Sequence, residues 1–361
     1  MALCMVGTRW GHFLGSQLRS VFSGDLVVCG NDAQRTKAIG RTLKANDVVV
    51  GWKNAIARPD VSAVILALPP QLHAVAALAA IRAGKHVFVE KPLATNVEDA
   101  ETMIERARSA GVVLFAGENV PYRPAIREAR RLMPQIGTPR LLFGNSFSSL
   151  DAPSGTQINA GILLDFSVHY IRTVRYLLGE PDEVYASRAQ ALARSIEEDN
   201  VTMVLTSAEG WQATLSLSWQ GSVGRYPELV VTGSEGSMKI FPENAAVDLY
   251  PNKPTLMSRM LSHVRPWWLK DLLSSPESQR QRVSVPGNDR MGYRSELQDF
   301  LNLVAADKGN VTSAEEALRD LRIVMAAYDS LSSGVPVSCS TRPRPSLRSH
   351  NLSVISPRPA S

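Results

Sequence analysis

Short apolar runs alternate with segments of helical spacing through the first third of the chain. The runs are Ala2 to Val6, Leu26 to Cys29, Val48 to Val50, Val64 to Leu68, His86 to Val89 and Val112 to Ala116. Between them, Gln34 to Lys44, His73 to Ala83 and Val97 to Ser109 have the period of a helix. In the second helix Val75, Leu78, Ala79 and Ala83 share a face. In the third, Ala100, Met103, Ile104 and Ala107 turn inward. Strands alternating with helices predict a parallel sheet with right-handed crossovers, a doubly wound Rossmann-like domain over residues 1–120.

Beyond Gly117 the rhythm changes. Arg140 to Phe147 reads as a strand, and Gly161 to Leu178 as a helix stopped by Gly179 and Pro181. Strands follow at Val184 to Arg188, Val201 to Thr206, Gln212 to Gln220, Leu229 to Gly233 and Ser237 to Phe241, separated by turn residues. This pattern predicts an open, mostly antiparallel sheet with helices on one face, an α+β domain over residues 121–336. Ser295 to Ala306 and Ala314 to Leu331 close it as helices. Met257 to Ser275, with Trp267 and Trp268, reads as an insertion that forms core or interface.

Charge changes the picture at one end. The 361 residues carry a net +5, but the last 25 hold Arg342, Arg344, Arg348 and Arg358 and no acid. Without those four, the remaining 336 residues stand at +1. Residues 337–361 read as a disordered, basic, Pro/Ser-rich tail on a nearly neutral body. A basic stripe interleaved with aromatics is missing elsewhere, which argues against nucleic acid. No apolar run reaches the ~18 residues of a membrane span, and the start lacks a secretory pattern. Three scattered cysteines, Cys4, Cys29 and Cys339, fit neither a disulfide framework nor a structural metal site. A cytoplasmic protein is expected.

After the first run comes Gly7-Thr8-Arg9-Trp10-Gly11, a degraded form of the glycine loop that receives a dinucleotide pyrophosphate at a helix N-terminus. The acid expected after the second strand to bind a ribose 2′-hydroxyl is replaced by Gly30, followed by Asn31 and Asp32. Arg35 and Lys37 lie near. Loss of the acid removes repulsion against a 2′-phosphate, so the reading leans towards NADP(H) over NAD(H).

More specific motifs follow. Leu68-Pro69-Pro70, Ala83-Gly84-Lys85-His86-Val87 and Glu90-Lys91-Pro92 occur in order, then Gly117-Glu118-Asn119, Gly161 to His169, and Gly233-Ser234-Glu235-Gly236. The chain up to about Val337 closely resembles the Gfo/Idh/MocA oxidoreductases, named for glucose–fructose oxidoreductase and inositol dehydrogenase. The resemblance implies a nicotinamide cofactor in the first domain and a sugar, polyol or related substrate between the domains. It also implies a cis peptide before Pro92, a reactive set of Lys91, Asp165 and His169, and a homodimer or homotetramer paired through the second sheet.

The chemistry of these residues suits hydride transfer from an alcohol, which needs a proton acceptor and positive charge near the developing carbonyl oxygen. Lys91 supplies charge at the carboxyl end of a parallel strand. His169 titrates near ~6.5 when unperturbed and suits a reversible proton acceptor. Asp165, four residues earlier, binds a substrate hydroxyl or orients the imidazole. Gly7, Thr8, Arg9, Trp10, Gly11, Asn31, Arg35, Leu68, Pro69, His73, Glu90 and Lys91 are the expected cofactor contacts. Tyr122, Arg123 and Arg172 join Asp165 and His169 as expected substrate contacts.

Two positions depart from the family pattern. Ser167 replaces a glycine, and Arg172 stands where an acid is common. An Arg172 facing the pocket would favour an acidic substrate; facing outward it would be neutral to function. Two rival readings keep the fold: a redox-assisted elimination of the glycosidase type, and a nucleotide-sensing protein without turnover.

Overall fold

The computed structural model describes residues 2–147, 161–189, 198–220, 228–251 and 280–339. The Trp267–Trp268 stretch and the tail beyond Cys339 lie outside the described residues.

The first sheet is all parallel in the order β3-β2-β1-β4-β5-β6. Its strands are β1 (Ala2–Val6), β2 (Asp25–Gly30), β3 (Asp47–Val50), β4 (Val61–Leu66), β5 (His86–Glu90) and β6 (Leu114–Gly117). The helices between them are α1 (Trp10–Arg19), α2 (Ala33–Thr42), α3 (Trp52–Ile56), α4 (His73–Arg82) and α5 (Val97–Ala110). Strand order reverses between β1 and β4, so their carboxyl ends open the crevice where doubly wound sheets take ligands. β1 and β5 are buried along their whole length, as strands covered on both faces must be.

α5 buries Ala100, Met103, Ile104 and Ala107 as its spacing predicts. α4 corrects the sequence reading. It buries His73, Ala76, Ala77, Ala80 and Ile81, while Val75 is 46% exposed. Apolar residues surround most of this helix, so periodicity could not choose its inward face.

Past β6, α6 (Pro124–Leu132) leads to the second sheet. Among the described residues it has nine strands, ordered β14-β13-β12-β11-β7-β10-β9-β8-β15. They are β7 (Pro139–Phe147), β8 (Glu183–Arg188), β9 (Asn200–Thr206), β10 (Gln212–Ser218), β11 (Glu228–Gly233), β12 (Gly236–Phe241), β13 (Ala246–Pro251), β14 (Gln281–Ser284) and β15 (Val337–Ser338). β8, β9 and β10 form an antiparallel meander, but β7 pairs parallel with β10 and separates it from β11. The cause is α7 (Val168–Leu178), which follows β7 in sequence and lets the chain restart at β8, away from β7. β15 extends the fold two residues into the segment read as tail, and Cys339 N–H donates to Asp182 O.

The last two helices cross back over the first domain. α8 (Tyr293–Ala305) buries Leu297, Phe300, Leu301 and Val304 in the same core as β1 and β2. Phe300 packs edge-on against Phe88 and Phe115, which stack at 5.4 Å. α9 (Thr312–Ser333) touches α5 and β6 of the first sheet, and α7 and β8 of the second. The boundary near residue 120 is therefore crossed twice by packing. No helix among the described residues is long and apolar enough to span a membrane.

Candidate active site

The glycine loop is built for close approach. Gly7 has φ +116°, and a Cβ there would run into the carbonyl of Ala67 at the end of β4. Gly11 faces Met5 and Ala67, which lets α1 lie close to the sheet, and a Cβ on Gly15 would press on Leu43 at the end of α2. Arg9 precedes α1 without a side-chain cap, and the first turn holds no acid. Its amide groups are thus presented to an anion, which fits a dinucleotide pyrophosphate. After β2, Asp32 is committed as the cap of α2, accepting from Arg35 N–H at 2.8 Å. Asn31 and Arg35 are exposed beside it.

Beyond the glycine loop, the expected cofactor residues divide. Thr8, Leu68 and Pro69 line the strand ends and remain accessible. Trp10 is 42% exposed, and its Nε1–H donates to Glu90 Oε1 at 2.8 Å. Burial pushes the Glu90 carboxyl up to about 7, against the opposing pull of the Trp10 bond and Lys91. Glu90 thus ties β5 to α1. His73 is a correction: it is fully buried, with Nδ1 2.7 Å from Pro92 O and Nε2 2.9 Å from Leu68 O. It pins two loops together and presents no surface to a cofactor. The Lys91–Pro92 peptide is cis.

Lys91 Nζ donates to both the carbonyl (2.6 Å) and Oδ1 (2.9 Å) of Asp165. Burial works against the ammonium, but Asp165 outweighs it and holds Lys91 above its ordinary value. Burial likewise opposes the Asp165 carboxylate, and Lys91 holds it below the usual range. Both therefore stay ionised. Their side chains keep 23% and 35% of their surface, so a substrate can still reach them.

Asp165 sits in a π-helical turn, Leu163–Ser167, that precedes α7 where an α-helix is predicted. The Ser167 hydroxyl donates to Leu163 O, a bond the family's glycine could not make. Gly161 is required by packing: its Cβ would collide with the carboxyl of Glu198. That carboxylate accepts from Leu163 N–H (3.1 Å) and from Tyr328 O–H (2.8 Å), which anchors the turn to α9.

The partner of His169 is Glu118, not Asp165. Nδ1 lies 2.8 and 2.9 Å from the two Glu118 oxygens, and Val120 N–H also donates to Glu118 at 3.1 Å. Burial opposes the Glu118 charge, but the imidazole beside it and the cations Arg123 and Arg172 hold its pKa at about 2. Burial pulls His169 below its ordinary value, and Glu118 offsets this only in part. The imidazole is thus neutral near pH 7. It donates Nδ1–H to a carboxylate and keeps its lone pair on Nε2. Lys91 and Glu118 line one small cavity of about 10 Å³, and the Lys91 charge acts on His169 as the His169 charge acts on Asp165, so the two pairs form one site. Glu118 stands directly after β6, and an acid at the carboxyl end of a parallel strand is the sequence signal that would have found it.

Tyr122 and Arg172 are corrected as substrate contacts. Tyr122 O–H donates to Asp299 of α8 at 2.6 Å. Arg172 is buried and paired with Glu316 (2.9 Å) and Asp320 (2.7 Å) of α9. Arg175 joins the same two acids and Glu180. The cation at 172 is compensated by acids of the same chain, so it gives no case for an acidic substrate. Arg123 stays close to the site, donating to Asn119 at 2.9 Å.

Residues 4–118 match the profile described as "Oxidoreductase family, NAD-binding Rossmann fold", and residues 127–239 match the "GFO/IDH/MocA C-terminal domain". The chain is similar to scyllo-inositol 2-dehydrogenase (NAD(+)) of Bacillus subtilis, 25% identical over 92% of this chain and 94% of that protein. It is also similar to scyllo-inositol 2-dehydrogenase (NADP(+)) IolU of the same organism, 30% identical over 65% and 74% of the two chains. Among solved structures, levoglucosan dehydrogenase in complex with NADH and levoglucosan superposes with a TM-score of 0.77. That comparison has 19% identity and covers 94% of this chain and 99% of the other. With both halves of the family pattern present in order, the chain belongs to the Gfo/Idh/MocA family of NAD(P)-dependent oxidoreductases.

Proposed function

We propose that this protein oxidises a ring or chain hydroxyl of a sugar or polyol, or reduces the matching ketone, with NADP(H) preferred over NAD(H). The observation that carries the reading is the joined pair of dyads, Lys91–Asp165 and His169–Glu118, beside a loop suited to a pyrophosphate. The inositol and levoglucosan dehydrogenases among its relatives support the substrate class.

A bound nicotinamide supplies the hydride acceptor. The chain supplies the rest. His169 Nε2 takes the hydroxyl proton, and Glu118 fixes the ring tautomer and stabilises the imidazolium as it forms. Lys91 holds positive charge where the carbonyl oxygen develops. Asp165 aims Lys91 and leaves carboxylate surface for a neighbouring hydroxyl. Selection of NADP(H) rests on Arg35 and Lys37, exposed beyond the carboxyl end of the second strand, where the first acid to follow, Asp32, caps a helix.

The test is a fluorescence titration with NADH and NADPH. It is followed by turnover assays on myo-inositol, scyllo-inositol and levoglucosan. Tighter NADPH binding, lost in Arg35→Ala, supports the cofactor reading; equal or tighter NADH binding overturns it. Lys91→Ala is expected to bind cofactor without turnover. A wild type inactive on the whole panel would overturn the substrate reading.

The same proposal includes self-association through the second sheet. Tyr185, Val204, Thr214 and Phe143 align in one row across β8, β9, β10 and β7, and Tyr185 and Phe143 are exposed there. Light scattering coupled to gel filtration should report a mass of two or four chains, lowered by Phe143→Glu.

A further inference from the structure

Oxidation of an alcohol leaves a proton on His169, and that proton must reach water. The surface that His169, Lys91 and Asp165 still expose is the surface a substrate covers. Behind His169 the arrangement differs. Glu118 also lines a second cavity of about 350 Å³, together with Tyr122, Asp299, Thr312, Ser313 and Glu316. Asp299 and Thr312 are exposed, so the cavity reaches the surface between α8 and the start of α9. Its wall is mostly apolar but carries the polar groups of Glu118, Tyr122, Asp299, Thr312, Ser313 and Glu316, and it is far larger than the ~10–15 Å³ that one water needs.

Resting on the oxidoreductase reading above, we propose that this rear cavity is the proton outlet of the site, with Glu118 as the relay between His169 and its water. The alcohol O–H proton moves to Nε2 as the hydride leaves the carbinol carbon for the nicotinamide. The Nδ1 proton moves to Glu118 and then to cavity water. The imidazolium formed in the first step, held by Glu118, is thereby returned to neutral, and water admitted on product release restores the original tautomer. Reduction of a ketone runs the same path inward. Glu118 is therefore placed at the junction of the reaction site and the outlet, and Arg172 beside it balances its charge.

Two variants block the outlet without touching the reactive groups. Thr312→Trp covers the mouth at an exposed position, and Leu303→Trp fills the cavity from α8. The first readout needs neither substrate nor cofactor: exchange of the His169 Nδ1–H with water, followed by NMR on ¹⁵N-histidine protein. Exchange is expected to slow at least about tenfold, while turnover falls less than the ~100-fold or more that losing the base would cost. The second readout is a single turnover followed by nicotinamide absorbance and a pH indicator. Hydride transfer should keep its wild-type rate while proton release lags behind it. Unchanged exchange and simultaneous release in both folded variants would refute the outlet. A wild type that exchanges through the cavity but turns over no alcohol would overturn the oxidoreductase reading itself, and the proton outlet with it.

Discussion

Glu118→Gln tests the chemistry of the site most directly. The variant keeps the shape of the side chain and one oxygen for the His169 Nδ1–H, but removes the charge that makes the bond strong. A hydrogen bond to a charged group contributes about 1.5–3 kcal/mol, against about 1 for a neutral one. The pair is buried and short, at 2.8 and 2.9 Å, so the upper part of that range applies. The loss falls on the transition state, where the imidazolium forms, and amounts to about 1.3–2 kcal/mol, so kcat is expected to drop between about 8- and 30-fold. The pH profile carries a second, opposite-looking signature. Oxidation needs neutral His169, so kcat/KM declines as pH falls through its pKa. Glu118 raises that pKa within the complex, so removing its charge moves the acid limb to lower pH. The assay is steady-state oxidation across the pH range, with NADPH titration as a control for folding. A plateau equal to wild type, or an acid limb that stays put or moves to higher pH, would refute the role given to Glu118.

Other outcomes follow from neighbouring geometry. Gly7→Ala places a side chain at φ +116° against the Ala67 carbonyl; cofactor binding should be lost and stability lowered by at least ~1–3 kcal/mol, read by titration and thermal melting. Glu90 has a folded pKa of about 7 against an ordinary 4.5, so the folded protein loses stability as pH rises between those values. Glu90→Gln should match wild type at pH 4.5 and exceed it at pH 8, by up to roughly 3 kcal/mol, while still accepting from Trp10. Arg175→Met removes a buried partner of Asp320, Glu316 and Glu180; breaking such a pair costs about 3–5 kcal/mol, which denaturant unfolding would detect.

Several features needed no coordinates. The order of short apolar runs, the glycine at position 7 and the ordered motifs from Leu68 to Gly236 fixed the two-part architecture and its family. These are local signals: a strand covered on both faces must be apolar throughout, and a turn that meets a neighbouring carbonyl must lack a Cβ. Lys91, Asp165 and His169 could be singled out in the same way, because each sits at a fixed offset within a motif. The pairing among them was not. Helical spacing put Asp165 on the face of His169, to bind a substrate hydroxyl or orient the imidazole, yet a π-helical turn intervenes, and Asp165 meets Lys91 from 74 residues away instead. Glu118 reaches His169 across 51 residues, and Arg172 finds its acids on α9, 144 residues on. Asp320 gave a faint warning, as an acid one turn before Val324 on the buried stripe of α9, where a charge demands a partner. Which cation would answer it depended on α9 crossing both sheets. Sequence declares what each segment must hide and which groups carry chemistry. Only the tertiary packing decides which buried charges meet, because the energy of a buried charge is set by neighbours the chain brings from far away.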